Sequence, residues 1–412
     1  MSRRPGRPDL VRTSRPVRRT QPVDTGRVRR RAIDLAADAA TTVVVGGGCA
    51  GLALGVALAE RGVPVVVADE RPPGRDGRTW CHWDTGESLL PEASTRAWDR
   101  WEVRAGGAAV VAADPAHPYR LVRAHDYRAA AAARLAAASA GALRTGVRVE
   151  DVPEHLRHGD PLVVDARGPL PAAPVPPGRT VLHQRFVGRW VRTARPVFDD
   201  GVVTLMDFDR TAPGEDVRFF YVLPVAPDLA LVECTVFARD RRRPLGLRDR
   251  VDAYVHERWG LEAGEWTVEG EEAGSIPMTD APPPPQVDGA PLFGVRAGLT
   301  RPSSGYAYTR IQRAARDAAA AIARGEAPAT PRDRPRTRLL DAVFLRFLRD
   351  RPELAGDVFV AMFAKLPGPL TVRFLTERSS PVDDLRMVLA LPKVPFLRAA
   401  AATARERVLH RS

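Results

Sequence analysis

The chain has 412 residues, 44% of them hydrophobic and 27% charged, a globular balance with length enough for more than one domain. Its formal net charge of +12 suggests a polyanionic partner until it is mapped: residues 1–31 hold 11 arginines against Asp9 and Asp24, leaving about +3 for the rest, so no nucleic acid is expected. No apolar run reaches the roughly 18–20 residues that cross a bilayer, and Cys49, Cys81 and Cys234 lack metal or redox spacing, which suits a reducing cytoplasm.

Residues 1–39 are a basic extension of Pro, Ser, Thr and Arg with little apolar periodicity, expected to be disordered. With no apolar core segment, they do not read as a secretory signal. Contact with anionic lipid or nucleic acid and an arm without a role are both open readings. Arginine outnumbers lysine by 60 to 2, and with abundant Ala and Pro this suggests a GC-rich bacterial coding sequence.

Thr42–Val45 is a β-like run entering Gly46-x-Gly48-x-x-Gly51. A helix-like segment follows to Arg61, and a second β run, Val63–Ala68, ends in Asp69. This is the order of a βαβ dinucleotide fingerprint. Gly46 permits the tight turn, Gly48 lets backbone approach a pyrophosphate, and Gly51 lets helix pack on strand. The helix N-terminus offers N–H groups and a positive dipole end to phosphate. Asp69, 18 residues beyond Gly51, is spaced to bond a ribose 2′-hydroxyl, which favours FAD or NAD over a phosphorylated ribose. Adjacent Glu70 is set aside on spacing alone.

Next come an Ala/Arg helix over Tyr127–Ala140, a strand near Val147–Val152 and a short strand, Leu162–Val164, ending in Asp165. Beyond the Pro-rich link Pro169–Pro177, alternating patterns at Phe186–Val191, Val202–Phe208, Phe219–Leu223 and Leu229–Phe237 predict a β-rich region. After the Pro282–Pro285 break come Leu292–Val295, the loop Gly298–Gly305 and a helix over Tyr308–Ala323. From Pro335 the chain reads as helical, with Leu340, Val343, Phe344, Phe347 and Leu348 on one face. That face reads as a cap over the core, as a surface resting on a bilayer, or both. The expected fold is α/β: a Rossmann-like FAD-binding domain (40–170 and 286–330) interleaved with a β-sheet substrate domain (171–285), then a helical C-terminal region (331–412).

The residues after Asp69 carry more than a generic fingerprint. Asp69-Glu70-Arg71-Pro72 and Arg78-Thr79-Trp80-Cys81-His82-Trp83 are followed in order by His183-Gln184-Arg185-Phe186-Val187-Gly188 and Leu231-Val232-Glu233-Cys234-Thr235. Gly274-Ser275-Ile276-Pro277-Met278 and Gly298-Leu299-Thr300-Arg301-Pro302-Ser303-Ser304-Gly305-Tyr306 complete the series. This series resembles the bacterial flavin-dependent lycopene cyclase family over roughly residues 41–400. His82, where the family often has Phe, and Cys234, where it has Tyr or Phe, depart from that pattern and are expected to alter an aromatic site.

The resemblance implies a non-redox isomerisation in carotenoid biosynthesis. A carboxylic acid protonates a terminal double bond of lycopene, the cation closes a ring, and a base removes a proton. It also implies bound, reduced FAD with NAD(P)H as reductant, and β rings. The insolubility of such a substrate and the basic, apolar C-terminal composition add the expectation of a peripheral position at a cytoplasmic membrane surface. Pattern alone makes Glu233 a solvent-facing residue of a half-buried strand; the resemblance makes it the catalytic acid/base. Glu271, Glu272 and Asp207 are weaker candidates, and Asp165 either stabilises its turn or lies near the cofactor. Gly298, Pro302 and Gly305 are expected to wrap the flavin. Trp80, Trp83 and His82 stand either against the substrate or in the core. No metal-ligand spacing, nucleophile elbow or P-loop is present. A flavin monooxygenase or halogenase, an isoprenoid reductase and a non-catalytic binding protein are the competing readings. The first of these lacks its usual Gly-Asp pair, since the chain reads Gly294-Val295-Arg296-Ala297-Gly298.

Overall fold

The computed structural model describes residues 28–30, 40–72, 77–149, 162–170, 175–283, 286–287, 290–329 and 333–409. The readings made for the rest of the basic arm, for 150–152 and for parts of both Pro-rich breaks lie outside these residues. The first half contains β1 (Val28–Arg30), β2 (Thr42–Val45), α1 (Cys49–Ala59), β3 (Val65–Asp69), β4 (Thr79–Trp83), β5 (Ser94–Trp98), β6 (Arg100–Ala105), β7 (Ala108–Ala113), β8 (Tyr119–Arg123), α2 (Ala124–Ala137), β9 (Gly141–Thr145), β10 (Val147–Val149) and β11 (Val163–Asp165). The middle supplies β12 (Val181–Thr193), β13 (Val203–Phe208), β14 (Val217–Ala226), β15 (Leu229–Ala238), α3 (Leu247–Trp259) and β16 (Trp266–Thr279). After the short pair β17 (Gln286–Val287) and β18 (Ala290–Pro291) come α4 (Tyr308–Ala323), α5 (Pro335–Asp350), α6 (Ala355–Lys365), α7 (Gly368–Leu375), α8 (Pro381–Ala390) and α9 (Lys393–Leu409).

The fold is α/β, with a parallel four-stranded sheet in the order β11-β2-β3-β9 and a helical C-terminal region. All residues of β2 and β3 are buried, which is why they read as unbroken valine runs rather than alternating ones. Every residue of α1 is buried too, so its sequence is apolar all round. Close packing of α1 needs glycine. A Cβ on Gly51 would stand 1.8 Å from the Gly46 carbonyl oxygen, and one on Gly55 would stand 2.3 Å from Val67. Gly46 sits at φ +109°, a conformation that a side chain would strain.

A seven-stranded sheet, ordered β16-β12-β15-β14-β13-β6-β7, forms the second layer. Alternation along β15 divides it between two cores. Ala230, Val232, Cys234 and Val236 pack beneath Val251, Tyr254 and Val255 of α3, whereas Leu231 and Phe237 join the core shared with the C-terminal helices. Both faces of this strand are therefore covered.

One sequence boundary needs correction. The Ala/Arg helix spans Ala124–Ala137 rather than Tyr127–Ala140, because Gly141 already opens β9. After the second Pro-rich break, Leu292 makes one bridge to Asp165, and a 3-10 turn runs from Gly294 to Ala297. The apolar face of α5 is core. Phe347 is fully buried and stacks on Phe396 of α9 at 4.5 Å, and Leu340, Val343 and Phe344 are half-buried, as the cap reading expects.

The glycine geometry separates two substitutions that look alike in sequence. Gly51→Ala is expected to cost roughly 3 kcal/mol or more by overpacking. Gly48→Ala, whose Cβ would meet nothing nearer than Arg71 Nη2 at 3.9 Å, is expected to leave stability near wild type. Chemical denaturation of the two variants checks the contrast.

Candidate functional site

A cavity of about 980 Å³ runs from the glycine turn to the inner face of the large sheet. At one end Gly46, Gly48, Cys49 and Asp69 form its wall. Gly48 is the N-cap residue of α1, so the helix's first N–H groups open there. Asp69 is buried and bonded by Arg71 (2.9 Å) and by Arg128. Burial alone would raise its carboxyl, but the two arginines bring it below its ordinary value. A dinucleotide cofactor fits this end. The space beyond Gly48 is open where a Cβ would stand, and backbone at Ala166 and Arg167 lies 2.9 Å from the missing Cβ of Gly46.

At the other end, register brings the chemistry together. Gly188 of β12 pairs with Glu233 of β15 on one side and with Glu272 of β16 on the other. Tyr221 of β14 pairs with Glu233 from beyond. One row across four strands thus reads Glu272, Gly188, Glu233, Tyr221, and all but Gly188 line the cavity. A Cβ on Gly188 would stand 3.1 Å from Glu272 Cγ and 3.4 Å from Glu233 Cβ, so the two carboxyl side chains flank the gap that this glycine leaves. In the next row Phe186 pairs with Gly274, and its ring lies over that glycine, 2.4 Å from where a Cβ would be.

Both carboxyls are buried, and neither has an ion pair of 4 Å or less among the described residues. Thr235 Oγ1 donates to Glu233 Oε1 at 2.7 Å, and Thr79 Oγ1 donates to Glu272 Oε2 at 2.7 Å. Burial pushes Glu233 well above the usual carboxylate range, and the charge of Glu272 pushes it further. Burial also raises Glu272, against the pull of the Thr79 hydroxyl and backbone N–H and of Arg123 and Arg78. Tyr119, Tyr221 and Tyr306 line the same cavity, and burial holds all three phenols above their ordinary value. The arrangement sets two carboxyls with raised pKa values in an aromatic wall.

The structure gathers some of the sequence candidates here and sets others apart. Trp80 is on the cavity wall, edge-on to Tyr127 at 5.5 Å. Trp83 is core, against Tyr119 (4.7 Å) and Trp101 (5.8 Å). His82 stacks on Tyr308 at 4.3 Å with Nδ1 3.1 Å from the Trp83 carbonyl, and burial lowers its pKa. Cys234 points under α3, opposite to Glu233, so its departure from the family pattern does not reach the cavity. Gly305 lines the cavity, as do Thr300 and Ser304, whereas Gly298 (φ +76°) and Pro302 shape the loop behind that wall. Asp165 is a turn residue, bonded by Arg167 and Arg296. Asp207 pairs with Arg258 and Tyr254 outside the cavity, and Glu271 pairs with Arg248 at its rim. Among the described residues no group of three or more His, Cys, Asp or Glu is placed to hold a metal.

The sequence placed Glu272 among the weaker candidates and did not single out Tyr119, Tyr221 or Tyr306, and all four line the cavity. Its one available signal was the glycine inside each of two strands, at 188 and 274, which marks close approach of other groups.

The sequence matches the family described as lycopene cyclase protein over residues 42–401. Comparison with curated protein sequences finds no match. Among solved structures, the chain is similar to a flavoprotein/dehydrogenase from Cytophaga hutchinsonii, at 14% identity over 89% of this chain and 99% of that one, with a TM-score of 0.54. It is also similar to a geranylgeranyl bacteriochlorophyll reductase-like protein from Thermoplasma acidophilum (14% identity, 90% and 98% covered, TM-score 0.53). A third likeness is to p-nitrophenol 4-monooxygenase from Pseudomonas putida DLL-E4 (13% identity, 90% and 97% covered, TM-score 0.51). At these identities the likeness is one of fold.

The raised carboxyls make stability depend on pH. Between about 4.3, where an unfolded Glu releases its proton, and the raised folded value, the native state binds more protons than the unfolded one, so stability falls as pH rises. Buried His82 has the opposite slope and is common to both proteins in a comparison with Glu233→Gln. The variant is expected to melt near wild type at pH 5 and above it at pH 8, which thermal unfolding at the two pH values checks.

Proposed function

The chain belongs to the lycopene cyclase family, and from that premise we propose that it closes the linear ends of lycopene into β-ionone rings by acid/base isomerisation. The observation that carries the reading is Glu233: a buried carboxyl without a cationic partner within 4 Å among the described residues, in the aromatic wall of a cavity that continues to a dinucleotide-type turn.

Taking an isolated carboxylate out of water costs several kcal/mol, so such a group keeps its proton instead. In the proposed mechanism protonated Glu233 gives that proton to a terminal double bond, leaving a tertiary cation. A neighbouring alkene attacks, closing a six-membered ring. Loss of a ring proton to the carboxylate restores the acid, so formula and oxidation state are unchanged. The rings of Tyr221, Tyr306 and Phe186 on the cavity wall would offer π density to the cation. Gly46, Gly48, Gly51 and Asp69 would hold FAD, with Gly305 on the far wall. Reduced FAD, with NAD(P)H as reductant, would supply negative charge near the cation.

We further propose that the protein works at the cytoplasmic membrane surface, where its apolar substrate resides. No single helix among the described residues is long and apolar enough to cross a membrane. Helices α8 and α9 meet at a bend of 116°, and Leu385, Val388, Leu389, Val394 and Leu397 are exposed along it. The acidic residues of the two helices are tied to arginines, Asp383 to Arg373, Asp384 to Arg336 and Glu406 to Arg346. The exposed charges are Arg386, Lys393, Arg398 and Arg405. An apolar elbow rimmed by cations fits an anionic bilayer. The chain's two lysines both serve this elbow: Lys365 donates to the Ala390 carbonyl, and Lys393 to those of Val388 and Leu389.

Two measurements test these readings. In a lycopene-accumulating bacterial host the chain is expected to yield pigments of unchanged mass with ring-type spectra, and Glu233→Gln is expected to lower their formation roughly 10²–10⁴-fold. A product heavier by oxygen would support a monooxygenase, and one heavier by hydrogen a reductase. In flotation with anionic vesicles, a Leu385→Gln, Leu389→Gln, Leu397→Gln variant is expected to stay at the bottom while melting like wild type. Equal flotation of both proteins would remove the membrane reading.

A further inference from the structure

We propose that Glu272 is a positioning residue that acts through Glu233: set across Gly188, it keeps the facing carboxyl in its protonated, donating form. This rests on the acid role given to Glu233, and the argument for it is geometric. Neighbouring strands stand about 4.8 Å apart, so residues two strands apart on one row are ordinarily separated by an intervening side chain. Here that residue is Gly188, and both carboxyl side chains lie against the gap it leaves.

The partners of the two carboxyls are unequal. Glu272 receives the Thr79 hydroxyl and backbone N–H and has Arg78 and Arg123 nearby, the latter held over the Trp190 ring at 3.7 Å. Glu233 receives only the Thr235 hydroxyl among the described hydrogen bonds. The other titratable groups facing the pair are Cys81 from β4, Tyr119 from β8, Tyr221 from β14 and Tyr306 from the loop before α4. Burial raises all of them, so at neutral pH they are uncharged and give Glu233 no counter-charge. Negative charge in the pair therefore settles on Glu272 and the proton on Glu233. Glu233 Oε2, free of the Thr235 bond, is left to carry the proton that is given away.

The test uses the flavin-loaded full chain. The infrared C=O band of a protonated carboxylic acid, assigned by its loss in Glu233→Gln, is titrated in wild type and in Glu272→Gln. The pH dependence of cyclisation is measured alongside. Removing the facing charge is expected to move the Glu233 midpoint down by about one unit, a tenfold smaller protonated fraction above it. The alkaline limb of the rate should move with it, while the rate at low pH is retained. Glu272→Asp, which keeps the charge, is expected to restore both. An unmoved midpoint, or a loss of rate by the same factor at every pH, overturns the proposal. Ring products with an unmoved midpoint would remove the role of Glu272 and leave the cyclase reading standing. A moved midpoint without ring products would do the reverse.

Discussion

Strand β12 is paired along its length on both edges, with β15 and with β16, and everything in the cavity depends on that register. Side chains alternate with a period of two, so a slip of one residue would turn Gln184, Phe186, Gly188 and Trp190 away from the inner face and replace them with charged or bulky neighbours. The two carboxyls would then be parted by Val187 or Arg189 instead of a glycine. Two features hold the register beyond the ladder itself. Leu182 and Trp190 are buried in the same core as Phe219 and Phe237, and the Phe186 ring occupies the space that Gly274 leaves. Packing that stabilises the sheet is thereby the same packing that sets the acid site.

The sheet that carries the carboxyl pair is covered on both faces. Helix α3 closes the outer face over Cys234 and Val236, and the C-terminal helices close the inner core. Those helices are tied to the cavity wall by a buried ion pair. Arg301 bonds Asp341 of α5 at 3.1 Å and the Phe374 carbonyl of α7 at 2.7 Å, and Ser303 bonds the same carboxylate at 2.5 Å. Pairs of this kind contribute less to stability than their Coulomb attraction suggests, because both ions have left water. Their geometry is restrictive, however, and this one fixes the loop that carries Ser304, Gly305 and Tyr306.

The parts legible in the sequence were those specified locally. The βαβ unit announced itself because glycine spacing and buried valine runs are demands of one short segment, and Tyr308–Ala323 was placed to the residue. Glu233 was found on its strand, but its surroundings were not. The ranking of Glu272 needed a pairing between β12 and β16, strands about 80 residues apart, which no alternation pattern encodes. The inward face of β15 was equally hidden: with apolar residues on both sides of Glu233, periodicity does not say which side meets the cavity and which meets α3. The α5 stripe shows the same limit, since an amphipathic pattern reports an apolar face and not what covers it.

Strand β4 explains why the aromatic run Trp80-Cys81-His82-Trp83 divides between roles that the sequence left open. Thr79, Cys81 and Trp83 point one way: Thr79 bonds Glu272, Cys81 stands within the field of both carboxyls, and Trp83 packs on Tyr119. Trp80 and His82 point the other way, against Tyr127 and Tyr308 on the helices that back the glycine turn. One five-residue strand is therefore the partition between the dinucleotide end and the acid end, touching both. A change on its far side, such as a different ring at position 82, reaches the carboxyl pair through the position of this backbone rather than by contact. That places the departure at His82 in the support of the site and leaves the cavity surface to Thr79, Trp80 and Cys81.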